Sequence, residues 1–134
     1  GLKSALLNAK SVAYSASASG VYLSTELFPK MGISEQMDKT ARKIYSERVA
    51  SVVARGEAEL GFQQVSELIP IKGVDFIGEL PPEAQKTVLF SAGITPNVSD
   101  LNASRDLIAF LASPAAAPTI QKAGLKPVLP ALPW

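Results

Sequence analysis

The sequence predicts an α/β fold: a mostly parallel sheet flanked by helices. Three observations predict it. Short β-branched or aromatic runs alternate along the chain with stretches of helical spacing, the order that parallel strands and helical crossovers require. The 134 residues are about one domain's worth of chain. The apolar share of 47% is enough to build a core between two layers.

The elements can be justified in order. Residues 4–9 read as a short helix with Leu6 and Leu7 inward. Residues 11–15 read as a strand because Val12 and Tyr14 alternate with small residues. Residues 20–28 are helical, and Pro29 ends or kinks that helix because it has no N–H and its ring clashes with the preceding turn. Residues 34–40 form another short helix and residues 42–45 a second strand. Residues 46–55 give the clearest helical signal, with Val49, Val52 and Val53 on one face, Glu47 early, Arg55 late and Gly56 as the stop. A third strand is expected at 60–63, a helical turn at 66–68, a fourth strand at 74–77 and a longer fifth at 87–94. Residues 102–112 form a helix with Leu107, Ile108 and Leu111 inward. Ser113 and Pro114 start the next helix as N-cap and first residue, and Gly124 ends it. The tail, with Pro127, Pro130, Pro133 and Trp134, is expected to be extended and pinned to a groove by its tryptophan.

Composition narrows the chemistry. Thirteen Lys and Arg against twelve Asp and Glu give a net charge of +1, no footprint for nucleic acid and no polybasic membrane patch. With no cysteine and no histidine, thiol nucleophiles, imidazole bases and the usual zinc ligands are all missing. Glu57, Glu59, Glu79, Glu83, Asp100 and Asp106 each read as solvated surface, so no acid pair converges and an enzyme is not expected. No cofactor is expected. No apolar run reaches the ~20 residues of a membrane span. No signal peptide opens the chain, which leaves a mature cytosolic protein or a piece of a longer one.

In a parallel sheet, ligands bind where strands end and helices begin. The stretch "YSASASGVY" is such a junction. Ser15, Ser17 and Ser19 offer hydroxyls, Gly20 leaves room for close backbone approach, and a following helix start presents unpaired N–H groups to an anion. The same serines also fit plain capping and turn roles. Ser46 opens the second junction and reads equally as an N-cap. Gln63 and Gln64 stand at the third, where adjacent side chains face opposite ways, so at most one faces a cleft.

Three stretches, "VAYSASASGVYLSTELFPKMGI", "VVARGEAELGFQQVSEL" and "RDLIAFLASPAAAPTIQKAGLKP", together resemble the molybdate-binding-like solute-binding proteins of bacterial ABC transporters. The resemblance runs from about residue 10 to residue 127. It implies a periplasmic-binding-protein-like (type II) lobe at residues 1–86. Residues 87–134 would then be the hinge strand, C-terminal helices and tail that return to a second lobe, largely missing here. It implies a periplasmic protein that binds a small oxyanion or polar solute and docks on a transporter permease. Ser19 and Gly20 would be amide donors at the ligand, Ser46 a second helix start, and Gln64 the position where molybdate binders carry a tyrosine. An amide in place of a phenol leaves another small anion open. A ligand-sensing domain of a regulator has a similar fold and is the alternative. Helices lacking their own sheet would leave Leu107, Ile108, Leu111 and Ile120 uncovered, so a homo-oligomer is expected.

Overall fold

In the computed structural model, which describes residues 1–128, one four-residue strand organises the first part of the chain. Val12–Ser15 (β1) is paired in parallel on both edges, with Ala41–Ile44 (β2) on one side and Leu60–Phe62 (β3) on the other. The register sets Val12 against Ala41 and Leu60, and Tyr14 against Lys43 and Phe62. The expected α/β architecture with a small parallel sheet is therefore present.

Alternation along β1 decides which side each core lies on. Val12 and Tyr14 face the larger core, made by Leu6, Leu23, Leu27, Phe28, Ile33 and Met37. Ala13 faces the smaller one, with Val49, Val52 and Ala58. The chain steps from β1 to β2 on one side, then crosses to β3 on the other. Right-handed crossovers therefore put the intervening helices on opposite faces. Leu6, Leu27, Met37, Val12, Val49 and Val52 are the largest fully buried side chains. Each contributes about 1.5–3 kcal/mol by leaving water. Tyr14 also meets Phe28 edge-on, with ring centroids 5.9 Å apart.

The larger core is covered by Leu2–Asn8 (α1), by a helix running from residue 18 to 31, and by Ser34–Thr40 (α4). The middle helix comprises Ala18–Tyr22 (α2), a π-helical turn at Leu23–Leu27 and Phe28–Met31 (α3). Of the two outcomes expected of Pro29, termination does not occur; the helix instead changes from π to α geometry beside it. The helix runs through to Met31, because the wider π turn before Pro29 does not need the N–H that proline lacks and eases the ring past the preceding carbonyls. Gly32, at φ 67°, then closes it in the left-handed conformation that favours glycine. The smaller core is covered by Val49–Ala54 (α5), and Val65–Leu68 (α6) follows β3.

Residues 80–86 return to the larger core. A single 3-10 turn at Pro82–Ala84 buries Ala84, the Tyr22 hydroxyl donates to the Ala84 carbonyl at 2.9 Å, and Lys86 pairs with Glu26.

Two expected strands do not form. Residues 74–77 and 87–94 have no strand partner among the described residues. Ile77, Leu89 and Phe90 are 89%, 71% and 61% exposed. Their β-prone composition is local, whereas a strand needs a neighbour's ladder. The contact pattern divides the chain into a unit at Gly1–Val88 and a second beginning at Leu89. The second unit carries Leu101–Leu111 (α7) and Ala117–Lys122 (α8). Asp100 caps α7 by accepting from the Ala103 N–H at 2.8 Å. Ser113 does not cap α8, whose N-cap is Ala116; the Ser113 hydroxyl turns back to the Phe110 carbonyl. Leu107 and Leu111, expected inward, are exposed together with Phe110. Pro130, Pro133 and Trp134 lie outside the described residues.

Of the glycines in the first unit, Gly20 has the least room for a side chain, because it lies against the end of β1. A Cβ on Gly20 would lie 1.5 Å from the Ser15 carbonyl oxygen. Gly20→Ala is expected to cost more than about 3 kcal/mol, the upper part of the overpacking range, because backbone and not a movable side chain is in the way. Urea denaturation followed by circular dichroism checks it; a midpoint within error of the parent would show that the helix can lift off the strand freely.

Candidate functional site

The three parallel strands end on the same side of the sheet, and a cleft opens there. Ser15 ends β1, Ile44 ends β2 and Gln63 follows β3. These residues line a volume of about 410 Å³ together with Ser17, Tyr45, Ser46, Glu47, Arg48, Gln64 and Glu67. This is the strand-end position at which ligands bind in parallel α/β sheets.

The "SASAS" stretch forms a chain of hydroxyls. Ser15, nine-tenths buried, accepts from the Ser17 N–H at 3.1 Å and donates to Ser17 Oγ at 2.8 Å. Ser17 Oγ lies 3.4 Å from Ser19 Oγ. Of the sequence-predicted residues, Ser15, Ser17, Ser46 and Gln64 line the cleft; Ser19 and Gly20 do not. The Gly20 N–H is bonded within the turn to the Ser17 carbonyl at 3.0 Å. The glycine there is dictated by the Ser15 backbone beside it.

The second junction is built differently from its expected form. Ser46 is not an N-cap: α5 begins three residues later, with Arg48 at the cap position and no cap from its own side chain. The cap comes from across the sheet, where Gln63 Oε1 accepts from the Val49 N–H at 2.8 Å. Residues 45–48 therefore stay out of the helix and form the cleft wall. Gln64 is the N-cap residue of α6. Both glutamines line the cleft, and the backbone turn between β3 and α6 makes that possible where a continuing strand would not.

Sequence reasoning reads Glu47 only as a helix-end charge and Glu57 as solvated surface, and passes over Arg48 and Glu67. In the structure, Glu47, Arg48 and Glu67 all line the cleft. Arg55 takes Glu47 with both terminal nitrogens, each at 2.8 Å, and reaches Glu57 through Nε at 2.6 Å; Arg42 also donates to Glu57. Hydrogen bonding from Arg55 holds the Glu47 carboxyl below its ordinary value of 4.5. Arg55 first and Arg42 second do the same for Glu57. Arg55 is pushed up in turn, chiefly by Glu47. Arg48 donates through Nε to Glu67 at 2.8 Å, with the two side chains 48% and 38% exposed. An ion pair so exposed is worth about 0–1 kcal/mol, weak enough to be displaced. Among the described residues, no cluster of acidic side chains could hold a metal ion.

Residues 1–126 match a family model described as bacterial extracellular solute-binding protein. An aconitate isomerase from Pseudomonas sp is 50% identical over 126 residues, which are 94% of this chain and 48% of that protein. The chain thus spans about half the length of this curated relative. No solved structure matches it. The expectation of a chain unrelated to catalysis is overturned, because this relative bears an enzyme's name. The comparisons support the broad solute-binding family and lend nothing to its molybdate branch.

Two outcomes are expected. Gln63→Ala should lose about 1 kcal/mol of stability, the usual value of an N-cap, although it lies in no helix; the urea midpoint reads this. Glu47 and Glu57 have depressed folded-state pKa values, so their contribution is complete above the unfolded carboxylate pKa. It is lost as pH falls through the folded-state values. Stability should therefore drop on acidification below about pH 4.5, the ordinary carboxylate value. Arg55→Gln should flatten that drop. Identical acid limbs would show that the network contributes nothing to it.

Proposed function

The chain belongs to the bacterial extracellular solute-binding family, and from that premise we propose that it forms one wall of a polycarboxylate-binding cleft in a periplasmic protein that isomerises aconitate. The observation that carries the reading is the strand-end cleft. Its lining brings Ser15, Ser17, Ser46 and Arg48, with the ion-paired Glu47 and Glu67, around a volume of about 410 Å³. The relative named aconitate isomerase supports the ligand class. Aconitate carries three carboxylates on a three-carbon skeleton with one double bond. Its isomerisation conserves every atom, so the protein must first hold mutually repelling carboxylates in one geometry. Neutral hydroxyl donors and one arginine suit that requirement, because they satisfy carboxylate oxygens without crowding the site with cations.

The expected small-oxyanion ligand gives way here to a small organic anion of the same charge type. The permease partner expected for a transport protein belongs to the same family's way of working. A second copy of this chain is proposed as partner of the exposed Leu107, Phe110 and Leu111 face of α7. Light scattering at micromolar concentration should then report a mass above that of the monomer.

The ligand test uses 15N-labelled chain titrated separately with trans-aconitate, molybdate and sulfate. Aconitate should shift the amides of Ser15, Ser17 and Ser46, and the two inorganic anions should leave them in place. Shifts with molybdate and none with aconitate would sink the reading.

A further inference from the structure

Arg48 and Arg55 lie on either side of α5 and are used in different ways. All three nitrogens of Arg55 are engaged: Nη1 and Nη2 by Glu47, Nε by Glu57. Among the described residues, Arg48 donates through Nε alone, to Glu67 Oε2. A guanidinium has five N–H donors in a planar fork, and its terminal pair matches a carboxylate bidentately. The cleft-lining arginine thus keeps its terminal nitrogens available, whereas Arg55 has every nitrogen engaged.

The two carboxylates in the cleft differ in the same way. Both oxygens of Glu47 are held by Arg55. Among the described residues, Glu67 accepts with one oxygen, from Arg48. The Arg48–Glu67 pair joins the wall that follows β2 to the wall that follows β3, and both residues line the same volume as Ser15, Ser17 and Ser46. The lining of that volume thus holds serines and a partly committed arginine. A carboxylate that takes the guanidinium side-on, through Nε and a terminal nitrogen, competes with Glu67.

We infer that Arg48 is the carboxylate-recognising residue of this cleft and that Glu67 is its resting counter-ion, displaced when a ligand carboxylate takes the guanidinium. The inference rests on the reading of the cleft as a polycarboxylate site and names the residue that selects the charge. Glu67 holds Arg48 through its Nε, and the exposure of the pair leaves it replaceable. Because arginine presents a fork and lysine a point charge, the two are not equivalent here.

The test measures trans-aconitate dissociation constants for the full chain and three variants by amide shifts, with the Arg48 Nε–H resonance as a direct reporter. Arg48→Gln should weaken binding by about tenfold or more, the usual effect of losing a charge-assisted pair. Arg48→Lys should recover part of that loss. Glu67→Gln should tighten binding, because the competitor is gone, and the Arg48 Nε–H should move in this variant as it does on ligand addition to the parent. Opposite signs from two neighbouring substitutions cannot come from a damaged fold. Equal constants for the parent and Arg48→Gln would overturn the role of Arg48 and leave the polycarboxylate reading in place. Weaker binding by Glu67→Gln would overturn the counter-ion role. Absence of any aconitate shift in the parent would overturn both the inference and the reading beneath it.

Discussion

The first unit depends on β1 being paired on both edges and covered on both faces. Four residues meet two strands and two cores, which leaves each of them a single role. Val12 and Tyr14 hold one core, Ala13 the other, and Ser15 ends the strand at the cleft. Parallel strands cannot be joined by tight turns, and the crossovers this forces give the sheet its cover. The same requirement brings three strand ends to one side. The cleft is thus a by-product of how a parallel sheet is connected, and its chemistry is whatever residues follow those ends. Ser15 to Ser17, Ile44 to Arg48 and Gln63 to Glu67 are the three segments that do so here.

Much of this is legible where the signal is local. The alternation at Val12–Ser15 and the helix at Ser34–Thr40 need nothing beyond neighbouring residues, and the helix matches its expected bounds at both ends. The serines at the first junction are readable as a strand-to-helix turn, because small polar residues there serve as caps and turn formers. Where the deciding partner is remote, local signals mislead. The start of α5 is set by Gln63, fourteen residues on, so Ser46 looks like the cap and is not. Residues 74–77 and 87–94 carry β-prone side chains, and nothing in their own composition tells that no strand pairs with them. Pro29 breaks a helix of α geometry, and a π turn changes that geometry.

Arg48 shows why charged residues are hard to assign from a chain alone. Beside a helix start it looks like solvated surface, as Glu67 does nineteen residues later. Only the crossing of the chain from β2 to β3 brings the two together at 2.8 Å. Arg55 and Glu47, legible in sequence only as helix-end charges, form a network that engages all three Arg55 nitrogens and ties the cleft wall to the far end of α5. One pair ties the wall down and the other is left open to exchange. The number of guanidinium nitrogens engaged, and not charge, tells them apart.

The Gly20 contact has a consequence for the history of the protein. Every amino acid reachable from glycine by a single base change adds at least a β-carbon, and at this position the first added atom collides with the Ser15 carbonyl. Every replacement of this glycine is therefore closed unless the strand end moves first, and moving it disturbs the hydroxyl chain that begins at Ser15. Descendants of this chain can drift in the identities of the serines, in the cap of α5 and in the charges of the cleft. They inherit the spacing of five residues between the strand end and the glycine as a fixed frame, and any change of ligand has to be written within it.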